Sequence, residues 1–167
     1  MKAKKIRGLN LLRFARNERG AAMAELAILV PLLALMLAAV SEFGRYFEKY
    51  TTMAKATRSA ARYLASHPFS DAEKDKARNL VVCAKTTACA SGEELLPGLA
   101  VTNVCIESTG SPTIETVTVR IPRDPADTCG ATLAFQPLFN IGALLGTSFN
   151  FAPKISPRTT MRYIPSS

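Results

Sequence analysis

The sequence predicts an α+β protein: a long N-terminal transmembrane helix that continues into a small C-terminal module with a short helix and antiparallel β-strands. Three observations lead there. An apolar run begins at Ala21 and meets no charge after Glu25 until Glu42. The helical spacing of apolar residues then carries on past the end of that run, with no breaker from Glu48 to Lys55, until His67–Pro68 stops it. Beyond it, short segments rich in β-branched residues alternate with Pro, Gly and Ser turn material.

The chain has 167 residues and a net charge of +8. That length accommodates one small domain and an appendage. The charge is unevenly placed. Through Gly20 the basic residues are Lys2, Lys4, Lys5, Arg7, Arg13, Arg16 and Arg19, against Glu18 alone. The remainder is close to balanced, with fourteen basic and twelve acidic residues. A basic head before an apolar segment orients that head toward the cytoplasm. No basic patch marks the folded part, so a nucleic-acid role finds no support. Residues 1–20 read as a cytoplasmic leader, 21–66 as the long helix with its membrane part at about 21–41, and 67–167 as the extracytoplasmic module.

About 20 apolar residues cross a bilayer as a helix. Three readings fit the segment from Ala21. It is a plain signal anchor, a secretory signal cut near Ala39, or a helix whose leader is removed after Gly20. The pattern beyond Ser41 weighs against the second. Phe43, Phe47, Tyr50, Ala54, Ala61 and Leu64 recur at three- and four-residue steps, with gaps near Thr57. One helix from about Ala22 to about Ser66 is expected, on the order of 65 Å long. Pro31 removes a backbone donor inside it and predicts a kink. Gly44 is a second soft point. The residue before a proline is pushed out of helical geometry, so the helix stops at His67. Tyr46, Phe47 and Tyr50 read as interface anchors and packing residues.

Next comes SDAE, Ser70 to Glu73, with capping-box spacing. Ala77, Leu80, Val81 and Ala84 form the apolar side of a short helix behind it. SGEELLPG breaks that helix. LAVTNVCIE and ETVTVRI read as two strands, joined through STGSP as a hairpin. PRDPADTCG is a loop. FQPLFNIGALLG suits a short packing helix or a buried segment, and KISPRTTMRYI a final strand. About a hundred residues bury only a modest core, so covalent staples would help. Cys83, Cys89, Cys105 and Cys129 all follow the apolar run. An even count outside the cytoplasm reads as two disulfides. Closeness in the chain favours Cys83–Cys89 with Cys105–Cys129. Free thiols and a zinc site are the alternatives, and no CxxC pair supports the second.

No catalytic constellation stands out, and no enzyme, cofactor or metal is expected. His67 is the only histidine and sits at a helix end. Asp124 and Asp127 fall in a proline-bearing loop and read as turn-forming side chains. Glu93–Glu94 reads as a solvated pair. GxSxG and glycine-rich phosphate loops are lacking.

Glu25 remains to be explained. A carboxylate within a membrane span is costly, by several kcal/mol. No basic residue lies between Gly20 and Arg45 to pair with it. Cutting after Gly20 would create a partner: the new α-amino group of Ala21, mostly protonated at neutral pH. Amine and carboxylate could pair within a chain or between staggered neighbours, the latter in one register only. Gly20 suits a protease, because it permits close backbone approach.

At this point the residues resemble a known family. RG-AAMAEL followed by an apolar helix is similar to the class III signal of type IV pilins, in which glutamate is fifth after the cut. The longer pattern resembles the TadE-like minor pseudopilins of tight-adherence (Flp, type IVb) pilus systems. Its landmarks fall on Gly20, Glu25, Pro31, Glu42–Arg45 and Ala60–Arg62. VTVRI and MRY also suit that family. The resemblance is dense only from about Arg19 to Ala65. It implies cleavage between Gly20 and Ala21 by a prepilin peptidase. Glu25 becomes the assembly charge partner. The implied partners are other pilins and pseudopilins and the assembly platform of the bacterial inner membrane. It further implies a single-pass, N-in location, with incorporation into an extracellular pilus and a part in adhesion. Leu26 departs from the Phe or Tyr often found there. A C-terminal module of this size fits a minor subunit rather than the short major pilin. The competing reading is an uncleaved, signal-anchored envelope protein that binds a partner through its outer domain.

Overall fold

The structure is a computed structural model that describes residues 18–110, 113–139 and 152–164. The basic residues of the leader through Arg16, residues 111–112 of the expected turn and the NIGALLG part of the expected packing segment lie outside the described residues. Among the described residues two α-helices and three strands follow in order. They are α1 (Glu18–Ala65), α2 (Asp71–Cys83), β1 (Cys105–Thr109), β2 (Thr116–Arg120) and β3 (Arg158–Arg162). The architecture is α+β, as the hydropathy and turn pattern predicts.

The chain divides between Ser41 and Glu42 into two compact units. In the first, the helix is apolar and almost entirely exposed. Met23, Ile28, Leu37 and Val40 are each 70% or more exposed. This helix is long and apolar enough to cross a membrane, and its most apolar window is not buried at all. Pro31 lies inside α1 without ending it. The carbonyl four residues before it, on Ala27, loses its usual donor.

In the second unit, α1 residues from Glu42 onward enter a core shared with α2 and the sheet. Met53, Ala60, Ala61 and Leu64 are fully buried in it, together with Ala77, Val81, Val117 and Val119. The buried stripe agrees with the expected one at Ala61 and Leu64 and differs from it nearer Glu42. Phe43 and Phe47 are 66% and 58% exposed. The stripe instead runs through Glu42, Tyr46, Met53, Ala56, Ala60 and Leu64, at steps that keep one helix face. Small alanines occupy the inward side, and the phenylalanines face away. The gap near Thr57 is filled by Thr57 itself, which is fully buried. Its hydroxyl donates to the Ala54 carbonyl at 3.1 Å and lies 3.3 Å from the Thr159 hydroxyl. A polar group on a core face is satisfied in this way.

Ser70 caps α2 by accepting the Glu73 amide at 3.4 Å. The reciprocal half of the expected capping box is replaced: the Glu73 carboxylate pairs with Lys76 and accepts from the Tyr63 hydroxyl. That ties α2 to α1. Ala84, expected on the apolar side of α2, is its C-cap at φ 57° and is exposed.

The sheet is antiparallel in the order β1-β2-β3, with Cys105 opposite Arg120 and Val119 opposite Thr159. Val117, Thr118 and Val119 of the central strand are all buried. The first strand is shorter than expected. Val101–Asn103 forms a 3-10 turn instead. Asn103 causes it: its Oδ1 accepts the Ala100 amide at 2.7 Å, and its Nδ2 donates to the Ala131 carbonyl at 3.0 Å. Local side-chain bonding of this type competes with a strand ladder. Residues 135–139 are not helical. Phe135 is buried, whereas Leu138 and Phe139 are 70% and 51% exposed. Both disulfides join chain neighbours, Cys83 to Cys89 and Cys105 to Cys129, at Cα separations of 6.0 and 5.7 Å.

Candidate functional site

The predicted site residues begin with Gly20, Ala21 and Glu25, all helical and exposed at the start of α1. Glu25 sits one helical turn beyond Ala21, so groups at these positions lie on adjacent turns of one face. Among the described residues Glu25 has no ion-pair or hydrogen-bond partner. An unpaired carboxylate on an otherwise apolar, exposed helix can form a charge pair with a group from elsewhere.

The second concentration of unusual groups lies just after Ser41, within the C-terminal unit. Glu42 is only 7% exposed. Its Oε1 accepts the backbone amides of Leu138 at 2.6 Å and Phe139 at 3.0 Å. Arg45, one turn on, donates to both carboxylate oxygens at 3.2 and 3.3 Å. A buried carboxylate is tolerated when amides and a cation satisfy it in this manner. Arg45 and Lys49 also lie near the face of the Phe135 ring, at 5.9 and 5.0 Å from its centroid. Tyr46 meets the same ring edge-on at 5.5 Å and donates to the Lys154 carbonyl at 3.5 Å. A cavity of about 220 Å³ opens beside these groups, lined in part by Arg45, Lys49, Pro137 and Leu138. From the sequence, Glu42 stands only as part of the Glu42–Arg45 landmark of the family resemblance. Its helical phase with Tyr46 and Met53, four and eleven residues on, was the available sign that it faces inward.

The remaining candidates are structural in their contacts. His67 stacks on Tyr63 at 4.0 Å and lies with Nδ1 2.8 Å from the Tyr63 carbonyl. That carbonyl can only accept, so Nδ1 carries the proton. Asp124 accepts the Ala126 amide at 2.9 Å, and Asp127 the Cys129 amide at 3.1 Å. Asp127 also pairs with Arg120, which bonds Glu107 as well. The Arg120 contact, with help from the Cys129 amide, holds the Asp127 carboxyl below its ordinary value. The two carboxylates push the Arg120 guanidinium up. Glu93 is exposed and pairs with Lys85. Glu94 is exposed and accepts the Gly92 amide. Cys83, Cys89, Cys105 and Cys129 are all in disulfides. Among the described residues no group of three or more metal-ligating side chains comes together.

Among the described residues, one N-terminal helix of membrane-crossing length and apolarity, followed by a stapled α+β unit, fits a single-pass membrane protein. Residues 20–62 match the family model described as TadE-like protein, so this segment is TadE-like. The match begins at Gly20 and takes in Glu25, Pro31, Glu42–Arg45 and Ala60–Arg62. Together with the membrane-length helix, it supports association with Tad pilus machinery at a membrane. No curated protein matches the chain, and neither does any solved structure.

Proposed function

We propose that the chain is a minor pseudopilin of a Tad (Flp) pilus. It inserts in the bacterial inner membrane with its N-terminus in the cytoplasm. A prepilin peptidase cuts it between Gly20 and Ala21. It then joins other pilins and pseudopilins at the assembly platform, through its N-terminal helix. Its role is in pilus biogenesis and adhesion. The protein makes and breaks no bond; it is the peptidase's substrate.

The observation that carries this reading is Glu25: exposed, unpaired among the described residues, four positions past a helical Ala21 on an unburied apolar helix. The TadE-like match that starts at Gly20 supports it. In a bilayer an ionised side chain calls for a partner. The amine freed on Ala21 supplies one, in the same chain or a neighbour.

Intact mass and the terminal peptide of membrane-extracted protein test the cut. A start at Ala21, lost on a Gly20 substitution that blocks processing, is expected. A start at Met1 in cells with an active peptidase would favour the uncleaved, signal-anchored envelope protein. Glu25→Ala should leave insertion intact and reduce pilus assembly. Normal piliation in that variant would remove the charge-pair role.

A further inference from the structure

Two surface features of the C-terminal unit complement each other. Phe47 on α1 is 58% exposed, and Glu48 beside it is exposed as well. Further along the chain, α1, α2 and the segment after α2 frame a groove of about 290 Å³. Thr52, Ala56 and Ser59 line it from α1, and Leu80 and Leu95 from the other two. Lys55 lines it too and is exposed. Ala56 is buried, and Leu80 and Leu95 are half-buried against the core. Part of the groove wall is therefore apolar and held in place by the core. Both features lie after Ser41, within one compact unit.

Each feature supplies what the other lacks. A phenyl ring gains by leaving water, and the groove offers it an apolar wall. Among the described residues the Glu48 carboxylate and the Lys55 ammonium have no ion-pair or hydrogen-bond partner. They cannot serve each other within one chain. Seven residues separate them on one helix, on the order of 10 Å along its axis. Phe47 and Ala56, nine residues apart, point to opposite sides of α1. A second copy brings both complements together, because the acid directly follows the ring and the base directly precedes Ala56 of the groove. Opposite charges flanking an apolar contact fix its register and its partner.

We infer that Phe47 of one copy docks into the groove lined by Ala56, Leu80 and Leu95 of a second copy, with the Glu48 carboxylate against the second copy's Lys55 ammonium. Ring and groove are different surfaces, so a docked pair keeps one of each free. Such a contact adds copies in series, where a twofold contact would close on itself. The inference rests on the assembly part of the proposed function and on nothing in its processing step. It adds to the N-terminal helix a contact outside the apolar run.

Photocrosslinking of the full-length chain, in membranes of cells that carry its pilus system, tests the contact. Phe47 is replaced by p-benzoylphenylalanine, which bonds on irradiation to a side chain touching it. The expected product has twice the subunit mass and joins residue 47 to a peptide of the groove wall. Glu48→Lys and Lys55→Glu should each cut its yield severalfold, and the two together should restore it. A yield that ignores the single reversals, or that the double reversal leaves low, overturns the pairing. The same probe in place of Leu33, within the apolar run, reports assembly through the N-terminal helix. Adducts from residue 33 to another chain, with none from residue 47 to the groove, leave the assembly reading standing and overturn this inference. No adduct from either position removes both. An adduct from residue 47 to lipid or to a different protein overturns the inference as well. Should the probe at residue 47 prevent folding, Glu48→Cys and Lys55→Cys chains are made together and mildly oxidised. The four native cysteines are already paired, so a disulfide-linked dimer is expected from the mixture, and its absence overturns the contact.

Discussion

A single carboxylate, Glu42, joins two segments nearly a hundred residues apart in the chain. Its two amide bonds and its pair with Arg45 form one network, so their energies do not add independently. Hydrogen bonds to a charged group contribute roughly 1.5–3 kcal/mol each. Glu42→Ala leaves two amides without their acceptor and should lower the stability of the C-terminal unit by on the order of 2–3 kcal/mol. Chemical unfolding in detergent, followed by the loss of ellipticity, measures it. Glu42→Gln keeps an oxygen acceptor for the amides and should cost less. Equal losses in both variants would mean that charge, rather than the bond to the amides, holds residues 138–139. Glu25 presents the opposite case at this scale. It has no described partner to lose, so Glu25→Ala should be silent in the same unfolding experiment and visible only in assembly.

The elements divide by how local their causes are. α1 was legible because both of its halves obey helical spacing and His67–Pro68 stops it. α2 was legible because Ser70 caps it. The hairpin of β1 and β2 followed from β-branched runs around turn residues. The disulfides followed from closeness in the chain. What could not be read depended on distant partners. The inward face of α1 was read correctly at Ala61 and Leu64 but misjudged at Phe43 and Phe47, because large aromatics outrank alanine in any hydropathy count, yet Ala56 and Ala60 are buried and the phenylalanines are exposed. The 3-10 turn at Val101–Asn103 depends on Asn103 reaching Ala131. The clamp at Glu42 depends on backbone from residues 138–139. Gly44 sharpens the contrast. A Cβ there would meet no atom of the described residues within 4 Å. Glycine inside a helix costs about 1 kcal/mol relative to alanine. Gly44→Ala should therefore stabilise the isolated protein by about that amount, measured as a higher unfolding midpoint. Gly110 behaves oppositely. It sits at φ +102° in the hairpin turn, where a Cβ would come within 2.3 Å of the Thr113 carbonyl oxygen. Gly110→Ala should destabilise the hairpin by roughly 1–3 kcal/mol, and an unchanged midpoint would contradict the turn geometry.

In the C-terminal unit, carboxylate pairs add polar links between elements that also meet through the modest core. Glu73 connects α2 to Tyr63 of α1, and Asp127 connects its loop to Arg120 of β2. The Lys76 and Tyr63 contacts hold the Glu73 carboxyl below its ordinary 4.5. The Arg120 contact holds Asp127 below its ordinary 3.8. A carboxyl depressed in the folded state binds protons more readily once unfolded. Its contribution is fully present above the unfolded value and is lost as pH falls through the folded one. Stability should accordingly be flat through the neutral range and decline from about pH 5 downward. Thermal melts across that range give the slope. Asp127→Asn cannot titrate, so it should flatten the acid limb while lowering the plateau above it. The two disulfides keep β1 joined to the Asp127 loop, and the end of α2 joined to the segment after it, at every pH. They restrict the unfolded chain without titrating. Disulfides left intact therefore separate the two contributions: the acid slope belongs to the carboxylates, and a slope that survives Asp127→Asn undiminished would assign it to other groups, Glu73 first among them.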